Sequence, residues 1–322
     1  METKPRLQSL DQFRGWAIVG MIAVNFLGRF AVTPAFLKHW RVGFTFADSI
    51  MPMFLFAAGM GMFMSFRRQA ESDGSRSARL AVVKRCFFLL LIGVVLYGVP
   101  GIFEKGIVFF LRRIMWDALT HIAFASILAM VVIHKSAYWR VGAAVIYLLT
   151  FQLISDHAGY GSWVWERSLD GGPLGPLSWA FPLLLGTLMP DILKQKPSRI
   201  SWMCLGWGVG LLLLGYLLSF NWQYSQRRMT CSYSIAATGL SFLIYLGLYF
   251  LADILKRPLP HLSTFGKNSI AIYVALHILI IPQIFFAKDI PAVLVVELLL
   301  ATYLGCYAVA RLLEYKKVFL KI

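Results

Sequence analysis

FADSIMPMFLFAAGMGMFMSF, residues 46–66, carries a single charged residue, Asp48, in 21 positions. Crossing the hydrocarbon core of a bilayer takes about 20 apolar residues in a helix, and this stretch is apolar on every side rather than along one stripe. Such a segment is surrounded by lipid or by other protein, not by water. The rest of the chain has the same character: 59% of the 322 residues are hydrophobic, 14% are charged, and the mean hydropathy is +0.69. Those values lie outside the range of an ordinary soluble domain and point to a polytopic membrane protein.

Working outward from residues 46–66, further apolar runs fall at 13–30, 82–99, 116–133, 141–154, 175–193, 202–220, 232–255, 269–286 and 292–313. The expectation is an all-α bundle of about ten transmembrane helices, with residues 1–322 forming a single membrane domain. Residues 106–113 read as a further interfacial helix, and the charged stretch 67–79 as a solvated cytoplasmic turn. With the N-terminus inside, 21 of the 31 Lys and Arg fall on cytoplasmic segments, the arrangement that the positive-inside rule favours. Both termini then face the cytoplasm. The net charge of +16 is scattered over short loops, so no basic face is available for nucleic acid. Cys86, Cys204, Cys231 and Cys306 have neither disulfide nor metal-ligand spacing and read as small apolar residues. Lys4 and Arg6 precede the first run without a small-residue cleavage site, so that run reads as a retained span.

Polar groups cost free energy in lipid, so those within or beside the spans carry information. Arg14 and Asn25 are eleven residues apart, close to three helical turns, which puts them on one helix face about 16 Å apart. They suggest a polar route; the alternative is an arginine snorkelling to lipid phosphate and an asparagine bonded to a neighbouring helix. His39 precedes Asp48 in the same outer loop. A neutral imidazole oriented by a carboxylate is a general-base arrangement, and the competing reading is an Asp that caps its helix beside an interfacial His. Lys267, Asn268 and Ser269 stand at the cytoplasmic start of the ninth run, where backbone N–H groups favour an anion; Lys267 also reads as a positive-inside anchor. Asp117 and His121 form an i, i+4 pair. Pro52, Ala57, Ala58, Gly59 and Gly61 mark close helix packing or room for a slender ligand arm.

The blocks RLQSLDQFRGWAIVGMIAVN and GFTFADSIMPMFLFAAGMGMFMS, with a histidine between them, resemble the opening of the heparan-alpha-glucosaminide N-acetyltransferase family. DALTHIAFA, DGGPLGPLSWAFPLLLGTL, MTCSYSIAATG and FGKNSIAIYV are similar to later blocks of that family, in the same order. The resemblance implies a membrane acyltransferase that takes an acyl group, usually acetyl, from cytoplasmic acetyl-CoA and delivers it to a sugar hydroxyl or amine on the opposite side. It assigns the catalytic roles to His39, Asp48 and Asn25. Phosphates of the acyl-CoA are then expected near Arg14, Arg85 and the Lys267, Asn268 and Ser269 cluster, with no metal required. Arg29, upstream of His39, resembles an arginine of the related acyltransferase type 3 family, and Arg29, Trp40 and His121 are the expected sugar contacts. The implied partners are acyl-CoA, a glycan acceptor and membrane lipid, with self-association as a homodimer left open, and the implied location is the bacterial inner membrane. The rival class is a multi-span transporter or flippase for a glycan or lipid-linked sugar, since polar stripes also mark substrate pathways. That reading expects two similar halves, which the sequence does not display.

Overall fold

A computed structural model describes residues 8–98, 103 and 106–319. Lys4, Arg6 and Lys105 lie outside the described residues. Twelve helices are used below: α1 Gln8–Leu27, α2 Phe46–Gly93, α3 Ala118–Met130, α4 Ala137–His157, α5 Tyr160–Arg167, α6 Gly175–Gly186, α7 Met189–Ile192, α8 Pro197–Ser219, α9 Cys231–Tyr249, α10 Pro260–Lys267, α11 Ser269–Leu279 and α12 Ala292–Tyr315. No strand occurs among the described residues. The class is therefore all-α, as expected.

Each apolar run contains helix, but fewer helices than runs meet the requirements of a span. Among the described residues five are long and apolar enough to cross a membrane: Phe46–Gly98, Ala137–His157, Pro197–Ser219, Cys231–Ile254 and Ala292–Tyr315. A sixth is counted when α10 and the helix after it, bent by 91° at their junction, are taken as one. Helix length and composition thus account for five or six of the expected ten. α3 has 13 residues and α6 has 12, about 18–20 Å at 1.5 Å per residue against a core of about 30 Å. Two of the runs fall within Phe46–Gly98, which is two helices meeting at the non-helical Gly74, each about 36–42 Å long and so able to cross that thickness. The stretch expected as a turn is largely exposed helix, because Arg, Gln, Ala and Glu are good helix formers. Its regularity fails at Gly74 (φ 86°, ψ 160°), a conformation that glycine adopts without a Cβ penalty.

The described chain packs as two compact units. The terminal unit is drawn from Met1–His39, Thr45–Phe54 and Leu243–Lys321, and the central unit from Trp40–Phe44 and Leu55–Phe242. In the terminal unit α1 lies directly on α10: a Cβ at Gly15 would collide with the Leu262 carbonyl, and one at Gly266 with the Asp11 carbonyl. Glycine on each helix lets the two backbones meet, the means by which apolar helices associate where water supplies no driving force between them. Phe13 meets Tyr245 edge-on at 5.6 Å, and the Tyr245 hydroxyl lies 2.9 Å from Ser9 Oγ. At the far end of α1, Phe26 and Phe30 bury against Val295.

α6 is the core of the central unit, with every residue except Leu177 buried. It packs against α2 through a reciprocal pair, Gly59 against the Leu183 carbonyl and Gly186 against the Phe56 carbonyl. Gly59, singled out in the sequence among the small residues of α2, thus serves close packing. α3 and α4 also pack on α6. Arg140 of α4 is buried, ion-paired to Asp191 of α7 and stacked over Phe63 at 4.1 Å. The four cysteines are buried and unbridged.

Candidate active site

α2 begins with a reciprocal cap. The Thr45 backbone N–H donates to Asp48 Oδ2 at 2.9 Å, and the Asp48 N–H reaches Thr45 Oγ1 at 3.4 Å. This is a capping box, in which the residue before the helix and the third residue inside it satisfy each other's exposed donors. The Thr45 hydroxyl also lies 2.9 Å from Asp48 Oδ2 and 3.0 Å from the Lys38 carbonyl, between which its one proton is shared. The cap thereby occupies one carboxylate oxygen and fixes the orientation of the other.

That other oxygen, Asp48 Oδ1, is 2.9 Å from His39 Nδ1. A carboxylate only accepts, so the contact places the proton on Nδ1 and leaves the ring's lone pair on Nε2. Asp48 is fully buried, whereas the His39 side chain is half exposed, at 50%. The two readings of Asp48, helix cap or partner of the imidazole, are not alternatives. Each oxygen does one of them. Thr45 was not singled out in the sequence, although the T-x-x-D spacing of a capping box marks it.

The other expected site residues are more dispersed. Asn25 is half-buried in the last two turns of α1 and makes no side-chain hydrogen bond with a described residue. Arg14 is half-buried on the same helix. Arg29 donates to the Phe286 carbonyl at 3.2 Å, which ties the end of α1 to the segment before α12. Trp40 is 48% exposed. Lys267 is ion-paired with Glu314 of α12, which also takes Arg311. Asn268 donates to the Val318 carbonyl at 3.1 Å, and Ser269 opens α11. Lys267 and Asn268, two of the residues expected to meet an anion at the start of α11, are thus tied to the C-terminal helix and its tail. Arg85, on α2, is half-buried, and its Nε has no partner.

His121 is fully buried, and neither ring nitrogen has a hydrogen-bond partner. Its ring centroid lies 6.1 Å from that of Trp116 and 5.9 Å from that of Trp179. Asp117, four residues before His121, caps α3 by accepting from the Thr120 N–H at 2.7 Å. His277 bonds to the Tyr273 carbonyl at 2.8 Å within its own helix, as a helix-contact histidine would.

Comparison with known proteins bears on this geometry. The profile of the family described as heparan-alpha-glucosaminide N-acetyltransferase, catalytic, matches residues 6–251. Those residues carry His39, Thr45 and Asp48. The human heparan-alpha-glucosaminide N-acetyltransferase is 29% identical over 129 residues, 34% of this chain and 19% of that protein. Its mouse counterpart is 30% identical over 128 residues, again 34% and 19%. The matched part therefore spans about a fifth of the length of these relatives.

Proposed function

Because the chain belongs to the heparan-alpha-glucosaminide N-acetyltransferase catalytic family, we propose that it is a membrane acetyltransferase that moves an acetyl group from acetyl-CoA to a sugar. The reading carries the donor on the cytoplasmic side, the sugar on the other, and both termini in the cytoplasm. The observation that supports it most is the 2.9 Å contact between His39 Nδ1 and Asp48 Oδ1. It joins a half-exposed imidazole to a buried, cap-locked carboxylate.

In this proposal His39 Nε2 takes the proton from a sugar hydroxyl or amine as that atom attacks the thioester carbonyl. Asp48 stabilises the imidazolium that results. The tetrahedral intermediate then expels the CoA thiolate, which recovers the proton from His39, so the imidazole ends as it began. Asn25 serves as donor to the oxyanion, a role worth about 3–4 kcal/mol where such a donor has been removed from other acyl-transfer sites. The charged nucleotide of the donor stays at the cytoplasmic surface, where Arg14 and the Lys267, Glu314 and Arg311 group, which keeps one net positive charge, supply cations. Arg85 is the further candidate for that surface. Bacterial inner membrane is the setting that fits these parts.

The test is transfer of label from [14C]acetyl-CoA to an α-glucosaminide by purified protein in proteoliposomes. Loss of transfer in His39→Ala, with the folded fraction preserved, is the expected result. Unchanged turnover in that variant would remove His39 from the reaction and return the transporter reading.

A further inference from the structure

Two pairs of glycines lie on different faces of α8, and one pair meets the neighbouring helix α9. A Cβ at Gly239 of α9 would lie 2.7 Å from the Gly208 carbonyl, and a Cβ at Gly215 would lie 2.8 Å from the Ala236 backbone nitrogen. A Cβ at Gly206 or Gly210, by contrast, would have no described residue within 4 Å. Glycine inside a helix is less stable than alanine, and at these two positions no close approach of the chain's own backbone offsets that cost.

Gly206 and Gly210 form the floor of a groove of about 450 Å³, walled by Trp202, Met203, Trp207 and Leu214. Trp207 stacks on Phe242 of α9 with ring centroids 6.0 Å apart, which fixes that wall, while Trp202 is 71% exposed. From Trp202 to Leu214 the groove follows about 18 Å of helix, against about 15 Å for half the hydrocarbon core of a bilayer. Tryptophan favours the membrane–water interface, so Trp202 marks the end of the groove at headgroup level. That end is basic. Arg199, Met203, Gly206 and Gly210 follow the i, i+4, i+7, i+11 spacing of one helix face, which puts Arg199 at the mouth of the groove, and Lys196 is the residue before α8. Both are exposed and, among the described residues, neither forms an ion pair. No Asp or Glu occurs from residue 192 to residue 219, and Asp191 is already shared by Arg140, Arg67 and Lys194.

We infer that this groove holds one acyl chain of an anionic phospholipid, whose phosphate meets Arg199 and Lys196. A guanidinium fork matches phosphate oxygens, and the stems of both side chains lie along apolar surface while their charged ends reach the headgroup. The rival occupant is a second copy of the chain, since small residues four apart also join helices in lipid. Two copies in one membrane share an orientation, so a two-fold pairing through this face would set Arg199 beside its own counterpart, and Lys196 likewise. Like charges oppose that pairing, whereas an anionic headgroup neutralises them. The lipid's place on α8 does not depend on the transfer reaction.

The test is native mass spectrometry of the full chain in a neutral detergent, titrated with dioleoyl phosphatidylglycerol or with phosphatidylcholine carrying the same acyl chains. Expected is one phosphatidylglycerol retained at a concentration about tenfold lower than phosphatidylcholine requires. Arg199→Gln is expected to abolish that preference. Gly206→Leu fills the groove and leaves both cations in place, and it is expected to weaken retention of phosphatidylglycerol. The open space at Gly206 and the better helix propensity of leucine keep that variant folded, which a thermal melt on the same preparation checks; Gly210→Leu is the second variant of the same kind. Equal retention of the two lipids would overturn the inference, as would an unchanged preference in Arg199→Gln or unchanged retention in both leucine variants. A dimer of the parent chain that is lost in Gly206→Leu would also overturn it, and would assign the groove to a second copy.

Discussion

Asp48 and Asp191 both hold a basic or cationic partner, and they do it in opposite ways. Asp48 is fully buried and its imidazole partner is half exposed. Asp191 is a third exposed, and its principal partner, Arg140, is 2% exposed. At the first site the group that can exchange a proton is the one the surroundings can reach. At the second the ion itself is sealed under Phe63, and Arg67 and Lys194 reach Asp191 from its open side. A base must meet its substrate, whereas a structural ion need only be neutralised. The direction of burial separates the two, although the ion pairs look alike in a list of distances.

The largest effect that sharpens this contrast is expected at His39. His39→Ala should lower turnover by about 10²- to 10⁴-fold, the span for removal of a general base, with the melting temperature nearly unchanged. Labelled-acetyl transfer and a thermal melt on the same preparation check it. Asn25→Ala should cost about 10²- to 10³-fold in kcat, as an oxyanion donor does, with KM for acetyl-CoA little altered; steady-state kinetics decides whether it acts on the rate or on binding. Arg140→Ala should show the reverse pattern. Removing one partner of a buried ion pair costs about 3–5 kcal/mol, so the melt should drop sharply while turnover per folded molecule persists. Comparable loss of turnover per folded molecule would erase the distinction drawn here. Thr45→Ala should be the mildest, at about 0.5–2 kcal/mol for a lost helix cap, with a partial loss of turnover and recovery of both in Thr45→Ser.

How much of this was legible in the sequence depended on the distance over which each feature is encoded. The apolar run at 46–66, its aspartate and the histidine before it are local, and the structure places His39 and Asp48 in contact. The T-x-x-D cap was equally local and could have been read from spacing. Partners far apart in the chain could not. Glu314 lies 47 residues from Lys267 and Asp191 lies 51 from Arg140, and no periodicity links them. Nothing local to Lys267 therefore signals that Glu314 is its partner. The expected count of about ten spans rests on apolar composition, which marks helix and burial but not whether the 12 residues of α6 reach across a bilayer.

The central claim is that Asp48 and His39 act as one unit, and a double-mutant cycle on turnover tests it most directly. His39→Ala, Asp48→Ala and the double variant would be assayed for acetyl transfer in proteoliposomes, each corrected for its folded fraction. Residues that act as a unit are strongly non-additive, so the double variant is predicted to be no slower than His39→Ala alone. Multiplying losses, or an Asp48→Ala enzyme with the turnover of the parent, would contradict the account.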